Sequence, residues 1–436
     1  MSLKYIKSDY SVLLGNVQKK AFVNVKSVRD VKILKADIEL VTGLQISYNT
    51  LRRLFGFLDR TAPSLTTLNT LARYLGFRSY GNYLNSKSNF DDWYFHQKLL
   101  HIQALGVITP ENVELLNARL LNSRNVVSIA TFIAFFVERE DINSLLVIFN
   151  GLVQDEINIG PIMQFATIVS QAFLRLPAEK AKDLYKEMLP LDAFRNMVPL
   201  MYIDYNNLNG LYGDVVFLIK GLKSNVSDIF FSSLITEYRL FYNGEGIQNK
   251  AIKLPKNSNV LNQTLMGRYY GYKVFANDGV DPNLVKEIKW QCKKINMSSF
   301  SLELFPALII KNRIDIISSL IDLYYEDLFD TDGWNSQTTI CMSLISVANL
   351  NIHEERLTLA RRNLEIVELE KVEMSYYGYI SLLYYFTATK ISYFENNKKD
   401  NVSSLAVLSE FITLTGFNHF RTVSLPYVLN SPSSNK

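Results

Sequence analysis

A group of hydrogen-bonding side chains occurs at the start of one short predicted helix, for which Ser47 is the expected N-cap. The apolar residues of this helix share one face, and the opposite face presents four polar side chains: Tyr48, Asn49, Arg52 and Arg53. In the major groove of DNA, Arg pairs with guanine, Asn pairs with adenine, and Tyr can reach a phosphate or a thymine methyl. We therefore expect these four side chains to contact a DNA duplex. The alternative is a solvated polar face on a small helical domain.

Further residues in the same region are of the types that contact phosphates. The exposed N–H groups at two helix starts, Ser47 and Ser64, are predicted anion sites. Five basic residues could flank a duplex as phosphate contacts: Lys32, Lys35, Arg60, Arg73 and Arg78. The predicted DNA-binding site consists of Ser47, Tyr48, Asn49, Arg52, Arg53, Arg60 and Ser64.

The motifs that would support catalysis are incomplete. His353 begins a His-Glu-Glu-Arg-Leu segment, but Leu357 occupies the position where a zinc-binding helix needs its second His. No glycine-rich segment carries the Lys-Ser/Thr of a phosphate-binding loop. The two cysteines, Cys292 and Cys341, are too few for a disulfide framework or a Cys-only zinc site. We expect no enzymatic activity, no cofactor and no metal.

Length and composition indicate which elements hold these residues. The chain has 436 residues, which exceeds the roughly 250–300 residues of a single core, so we expect two domains or a repeat array. Only 19 Gly and 11 Pro are present, too few for the frequent turns of an all-β fold, and an all-α fold is predicted. Residues 1–90 hold 8 Lys and 6 Arg against 4 Asp and 1 Glu, a net charge of +9, whereas the remainder is net acidic. A basic N-terminal region suggests a polyanionic partner.

The N-terminal region is predicted to be a compact bundle of short helices. Its helices follow N-cap candidates at Ser8 or Asp9, Ser27, Ser47, Ser64 and Ser79. The second helix carries an apolar stripe of Val31, Leu34, Ile38 and Val41 and ends at Thr42-Gly43. The fourth carries Leu65, Leu68, Ala72 and Leu75, and the last is a short helix with Tyr80, Tyr83 and Leu84.

The segment from about Val28 to Leu84 resembles the lambda-repressor-like (Cro-type) DNA-binding domains. The resemblance lies in Thr42-Gly43, in Ile46-Ser47 followed by Thr50-Leu51 and Arg53, and in the proline-led helix that starts at Pro63-Ser64. It implies a helix–turn–helix whose second helix, from Ser47, enters the major groove. The turn from Gly43 to Ser47 is about two residues longer than the family's tight turn.

The rest of the chain is predicted to be a succession of helices, in pairs of roughly 35–40 residues. Val126–Val137 is its most apolar run, and at 12 residues it is too short for the roughly 20 that a membrane span needs, so a buried helix is expected. The segments around Gly271 and Gly378 are similar, with glycines between large aromatics that would let two helices approach closely. This region resembles a tetratricopeptide-like α-solenoid, and such repeats bind partners on a concave surface. The candidates to line that surface are Arg268, Tyr269, Tyr272, Lys273, Tyr376 and Tyr379, although aromatic residues at helical spacing more often form a core.

The sequence as a whole predicts a DNA-binding domain at residues 1–88, a helical-repeat domain at 89–430 and a disordered tail at 431–436. This architecture is similar to that of the Rgg/PlcR-type regulators, which implies a transcriptional regulator that binds double-stranded DNA through residues 28–84. The same resemblance implies a homodimer with a peptide or protein effector in the repeat domain. The alternative is a helical scaffold that binds protein partners without DNA. No signal peptide is evident, and a cytoplasmic protein with no membrane contact is expected.

Overall fold

The computed structural model describes residues 7–59, 63–121, 125–153, 159–201, 203–222, 226–255, 263–277, 279, 281–292, 297–330 and 336–429. Within these residues the secondary structure is helical, with no β-strand, which confirms the predicted all-α fold. Each described helix is either too short or too polar to cross a bilayer. The predicted disordered tail, residues 431–436, lies outside the described residues.

The chain divides into two compact units, residues 1–104, here called the head, and residues 105–436, here called the body. The predicted boundary after residue 88 lies within a helix. The expected short helix with Tyr80 and Tyr83 continues to Leu105, so the division falls near its end. The helices that begin in the head are α1 (Lys7–Ala21), α2 (Val28–Thr42), α3 (Tyr48–Leu54), α4 (Leu65–Tyr74) and α5 (Tyr80–Leu105).

The described residues of the body form helices α6 to α22 and three short 3-10 turns. The helices are α6 (Pro110–Leu121), α7 (Val126–Glu138), α8 (Ile142–Gly151), α9 (Ile159–Leu174), α10 (Ala178–Met188), α11 (Asp192–Met197), α12 (Leu211–Gly221), α13 (Val226–Asn243), α14 (Gln263–Ala276), α15 (Pro282–Cys292), α16 (Met297–Ile310), α17 (Ile314–Leu328), α18 (Ser336–His353), α19 (Leu357–Glu365), α20 (Tyr377–Phe394), α21 (Lys398–Thr415) and α22 (His419–Ser424). The 3-10 turns are Tyr205–Asn207, Leu369–Lys371 and Leu425–Tyr427.

The head is built around an apolar core to which α1, α2, α3, α4 and the start of α5 all contribute. Its fully buried members include Leu13, Leu34, Leu51 and Leu71, one from each of the first four helices. The core therefore holds α2 and α3 in a fixed mutual geometry.

Two residues of the predicted apolar stripes in the head do not join this core. Val41 is 52% exposed at the end of α2, and Leu65 is 66% exposed at the start of α4. Both lie in a terminal turn of a helix. An apolar stripe predicts burial only where a neighbouring element covers it, and at these two ends the side chains stay open to solvent.

From α16 to α21, successive helices of the body pack as neighbours, and alternate helices also stack. Helices α14, α16, α18 and α20 form one continuous series of contacts, while α17 and α19 each contact the members before and after them. This is the packing order that stacked helical hairpins produce. The assignment to a tetratricopeptide-like repeat stays a prediction. The apolar run at Val126–Val137 forms α7, and eight of its residues are buried, in line with the predicted buried helix.

Helix α14 lies very close to α16 because glycine faces the contact. A Cβ at Gly267 would collide with the Phe300 backbone oxygen, and a Cβ at Gly271 would collide with the Tyr238 hydroxyl and lie 3.1 Å from the Glu303 backbone oxygen. The sequence-based expectation of a close approach at Gly271 is therefore confirmed. At this contact, the guanidinium of Arg268 on α14 forms an ion pair with the carboxylate of Glu303 on α16.

Candidate nucleic-acid interface

Helix α2 starts with a complete capping box. The Ser27 hydroxyl accepts a hydrogen bond from the Asp30 N–H, and the Asp30 carboxylate accepts from the Ser27 N–H at 2.7 Å and from the Lys26 N–H at 3.0 Å. The Ser27 hydrogen bonds are the main reason that the pKa of Asp30 lies below its usual range. The box fixes the N-terminus of α2 and consumes one of the few carboxylates in the head.

The turn between α2 and α3 is held by local hydrogen bonds. Gly43 adopts the left-handed conformation with φ 69° and donates its N–H to the Glu39 carbonyl. The Glu39 carboxylate accepts from the Ile46 N–H at 3.0 Å and forms an ion pair with Lys35 at 2.7 Å. The side chain of Ile46 is buried in the head core. The longer turn expected from the sequence is thus ordered by one glycine and one carboxylate.

Helix α3 begins at the predicted N-cap. The Ser47 hydroxyl accepts from the Thr50 N–H, and Leu51 is buried while Leu54 and Phe55 are half-buried. This confirms the predicted inward face. The cap already satisfies one of the N–H groups at the helix start, which leaves fewer of them for an anion.

The outward residues of α3 form a basic and aromatic surface together with α2. Two cations lie over the Tyr48 ring, with the Lys32 Nζ 6.0 Å and the Arg52 guanidinium carbon 5.6 Å from its centroid. The Tyr48 hydroxyl donates to the Val28 carbonyl at 3.3 Å, which ties α3 to the start of α2. We call the surface made by Lys32, Tyr48, Asn49, Arg52 and Arg53 the α3 basic face.

The side chains of the α3 basic face differ in how they are held. Asn49 is exposed, and its Oδ1 accepts from Arg52 Nη1 at 3.5 Å. The Nε of Arg52 is buried and has no hydrogen-bond partner in the described part of the chain. Arg53 is half-buried, and no carboxylate of the described residues pairs with it. The cations over the Tyr48 ring have no counter-ion within the described structure, so a phosphate or a hydrogen-bond acceptor of a base could pair with them.

The remaining predicted contact residues of the head lie on α4 or outside the described residues. Ser64 is exposed and caps α4 by accepting from the Thr67 N–H at 3.2 Å. Arg73 and Arg78 are exposed near the end of α4, and Arg73 Nε donates to the Arg78 carbonyl. Arg60 lies outside the described residues.

Three carboxylates of the head are occupied in stabilising its fold. Asp30 caps α2, Glu39 bonds the turn, and the Asp37 carboxylate accepts from the buried Tyr74 hydroxyl. Burial is the main cause, and the Asp37 hydrogen bond a second cause, of a raised pKa at Tyr74. Within residues 12–59 and 63–84, the one ion pair is that between Lys35 and Glu39. Positive charge is therefore in excess at the surface of α2, α3 and α4.

The candidate effector residues of the body lie in its interior. Five of the six are buried: Arg268, Tyr269, Tyr272, Tyr376 and Tyr379. Lys273 is half-buried and forms an ion pair with Glu287 at 2.7 Å. The expectation of an open concave surface is wrong for the five buried residues, because α14 and α20 are covered by neighbouring helices over most of their circumference.

Three of these residues instead belong to a buried polar cluster, made by Arg268, Glu303, Tyr205, Tyr376 and Tyr379. The Arg268 guanidinium donates to Glu303 at 2.9 and 3.0 Å, and the hydroxyls of Tyr205 and Tyr376 donate to the same carboxylate. Burial alone would lower the pKa of Arg268, but the Glu303 carboxylate more than offsets it. Burial raises the pKa of all three tyrosines. The cluster is an internally neutralised core, with no charge left over for a ligand.

One charged residue of the body that sequence reasoning did not select lies beside a cavity. Lys390 is 4% exposed on α20, at the wall of a cavity of about 520 Å³. A signal was present in the sequence, since Lys390 is the single charged residue in a helix of 18 residues. The pattern does not reveal which neighbours surround it.

No protein family, curated protein or solved structure that was compared matches this chain, so the geometry of its own residues carries the functional argument.

Proposed function

We propose that the chain is a DNA-binding transcriptional regulator in which the α3 basic face contacts the major groove and the body dimerises and takes a peptide or protein effector. The observation that carries the proposal is the α3 basic face itself: a helix capped at Ser47, with Asn49 exposed and with Lys32 and Arg52 over the Tyr48 ring. Arg and Asn on the outer face of a short helix are the side chains that read base edges.

The distribution of charge supports the same proposal. Three acidic side chains of the head are engaged in caps, turns and a tyrosine hydrogen bond, while Arg29, Lys32, Arg73 and Arg78 are exposed. Phosphates would supply the missing counter-ions, and binding would release the cations condensed on DNA.

Dimerisation is part of the proposal for a geometric reason. A helix of seven residues reaches only one half-site, and a single half-site gives weak binding. Two heads held by a dimeric body would bind two half-sites, and an effector that favours one arrangement of the body would change their separation.

The proposal is tested by fluorescence anisotropy of the full-length protein with a random-sequence duplex of about 30 base pairs at low and high salt. Binding should weaken steeply with salt. The Arg52→Ala/Arg53→Ala variant should lose about 1–3 kcal/mol of binding free energy for each side chain that pairs with a base.

The matched control is Arg139→Ala/Arg362→Ala, which removes the same charge from two exposed positions of the body. This variant should bind like the wild type. No binding at low salt, or an equal loss in both variants, would contradict the proposal.

The alternative function, a scaffold that binds protein through the head, is favoured by one observation. Ile33 and Leu40, two turns apart on α2, are 50% and 83% exposed, and Val41 beside them is 52% exposed. Exposed apolar side chains on one helix are typical of a protein-binding surface. Ile33→Lys/Leu40→Lys should abolish partner capture if the scaffold function holds and should leave salt-dependent DNA binding in place if it does not.

A further inference from the structure

A cavity in the body has a buried ammonium group in its wall. The cavity has a volume of about 520 Å³ and lies between α18, α19, α20 and the C-terminal 3-10 turn. Its wall includes Asn349, Ile352, Leu357, Lys390, Phe394 and Tyr427. This volume is within the range of small-molecule sites, and the wall combines apolar side chains with the polar groups of Asn312, Asn349, His353, Glu355 and Lys390.

The ammonium of Lys390 is held in place by groups that carry no charge. Its Nζ donates to Asn349 Oδ1 at 2.8 Å and lies 5.5 Å and 5.7 Å from the ring centroids of Phe386 and Tyr427. The Asn349 side chain is itself fixed, because its Nδ2 donates to the Ile345 carbonyl and the Thr387 hydroxyl. The amide oxygen therefore has to face Lys390.

No carboxylate of the described residues forms an ion pair with Lys390, and burial is the sole cause that lowers its pKa to about 8. His353 and Glu355 also line the cavity, and both are exposed. Burying an ammonium without a counter-ion is unfavourable, and one neutral hydrogen bond does not compensate it. In the same unit, Arg268 has a buried carboxylate as its partner. Lys390 has no carboxylate partner among the described residues and lies beside a cavity instead.

We propose that this cavity binds a small organic carboxylate, whose anionic group pairs with the Lys390 ammonium beside Asn349 and whose apolar part lies along Ile352, Leu357 and Phe394. The Phe386 and Tyr427 rings beside the buried ammonium reduce its access to water, which strengthens the ion pair. The inference does not depend on DNA binding by the head.

The experiment is isothermal titration calorimetry of the full-length protein, near neutral pH, with acetate, butanoate, hexanoate and 3-phenylpropanoate. Each acid is compared with its neutral amide, which has nearly the same shape. The wild type should bind at least one carboxylate roughly tenfold or more tightly than the matching amide. Lys390→Met should lose this preference, and Lys398→Met, which removes an exposed lysine close in sequence, should keep it.

Two results would overturn the proposal: a wild type that prefers no carboxylate over its amide, or a Lys390→Met variant that keeps the preference. A second measurement on the wild type covers the case in which Lys390→Met does not fold. Because binding needs the ammonium form, carboxylate affinity should fall by roughly tenfold or more between about pH 7 and pH 9.5. An affinity that is constant over this interval would also overturn the proposal.

Discussion

The α3 basic face of the head and the polar cluster of the body both combine arginine with tyrosine, the first at the surface and the second in the interior. In the head, Arg52 lies over the Tyr48 ring at the surface, and the Asp37 and Glu39 carboxylates of α2 are engaged elsewhere. In the body, Arg268 lies beside Tyr376 with both groups buried and with Glu303 as counter-ion. Residue type alone therefore does not identify a binding site. A cation is available to a ligand when the fold leaves it without a counter-ion.

The largest expected effect comes from breaking the buried pair. Glu303→Gln leaves Arg268 as a buried charge with no carboxylate, and we expect a loss of about 3–5 kcal/mol in the free energy of unfolding. Urea denaturation measures this loss. Glu39→Gln, which alters the half-exposed pair with Lys35 in the head, should have a much smaller effect. Equal losses in the two variants would mean that burial does not distinguish the regions.

The second prediction concerns a buried cation that lacks a counter-ion. The pKa of Lys390 is lowered from 10.5 to about 8 by burial, so in this interval the unfolded chain binds more protons than the folded chain. Stability should therefore rise with pH between about 8 and 10.5, and the cost below pH 8 is about 3 kcal/mol.

Denaturation of the wild type and of Lys390→Met across this pH interval measures the contribution of the lysine. The other titratable groups that line the cavity, His353, Glu355 and Tyr427, are retained in both proteins and cancel in the difference. The free energy of unfolding of the variant, relative to that of the wild type, should be higher at pH 7 than at pH 10.5. A stability difference that does not change with pH would show that Lys390 is not buried in its charged form.

The third prediction tests the close approach that supports the polar cluster. Gly271→Ala places a methyl group against the Tyr238 hydroxyl, which donates to the Arg268 carbonyl at 2.8 Å. We expect a loss of about 1–3 kcal/mol from overpacking. The matched control is Gly15→Ala in α1, where no atom lies within 4 Å of the added methyl. That change should be neutral or stabilising, because alanine favours a helix interior.

The smallest expected effect concerns the stability of the head. Arg52→Ala/Arg53→Ala should change the free energy of unfolding by no more than about 0.5 kcal/mol per residue, because neither side chain has a counter-ion in the described structure. Thermal denaturation measures this, with the same variant used in the DNA titration. A large loss of stability would show that these arginines support the fold, and a loss of DNA binding would then have a structural cause.

Much of the helical structure was predictable because its signals are local. The N-caps at Ser27, Ser47 and Ser64 were each identified from the sequence and each accepts the expected N–H three residues later. The inward position of Leu51 follows from the same helical period. The length of α5 was not predicted, because no strong stop signal separates its first turns from the rest of the helix.

The fate of the aromatic helices of the body was not predictable from periodicity. Helix α14 is apolar and aromatic around most of its circumference, so no polar face indicates which side meets solvent. The partners that decide the role of its residues are distant in sequence: Glu303 is 35 positions from Arg268, and Tyr205 is 98 positions from Glu303. For this reason, residues predicted to line a binding surface lie in the core.

The sequence by itself determined the all-α class, the caps that position α3 and the excess of positive charge in the first 90 residues, because composition and short-range hydrogen bonds decide these properties. The tertiary structure alone decided which cations receive a counter-ion. Arg268 has one because glycine lets α14 approach α16. Lys390 instead contacts Asn349, 41 positions away in the sequence, and lies beside a cavity. The physical reason is that desolvation and charge pairing depend on neighbours in space, which a single chain of letters does not specify.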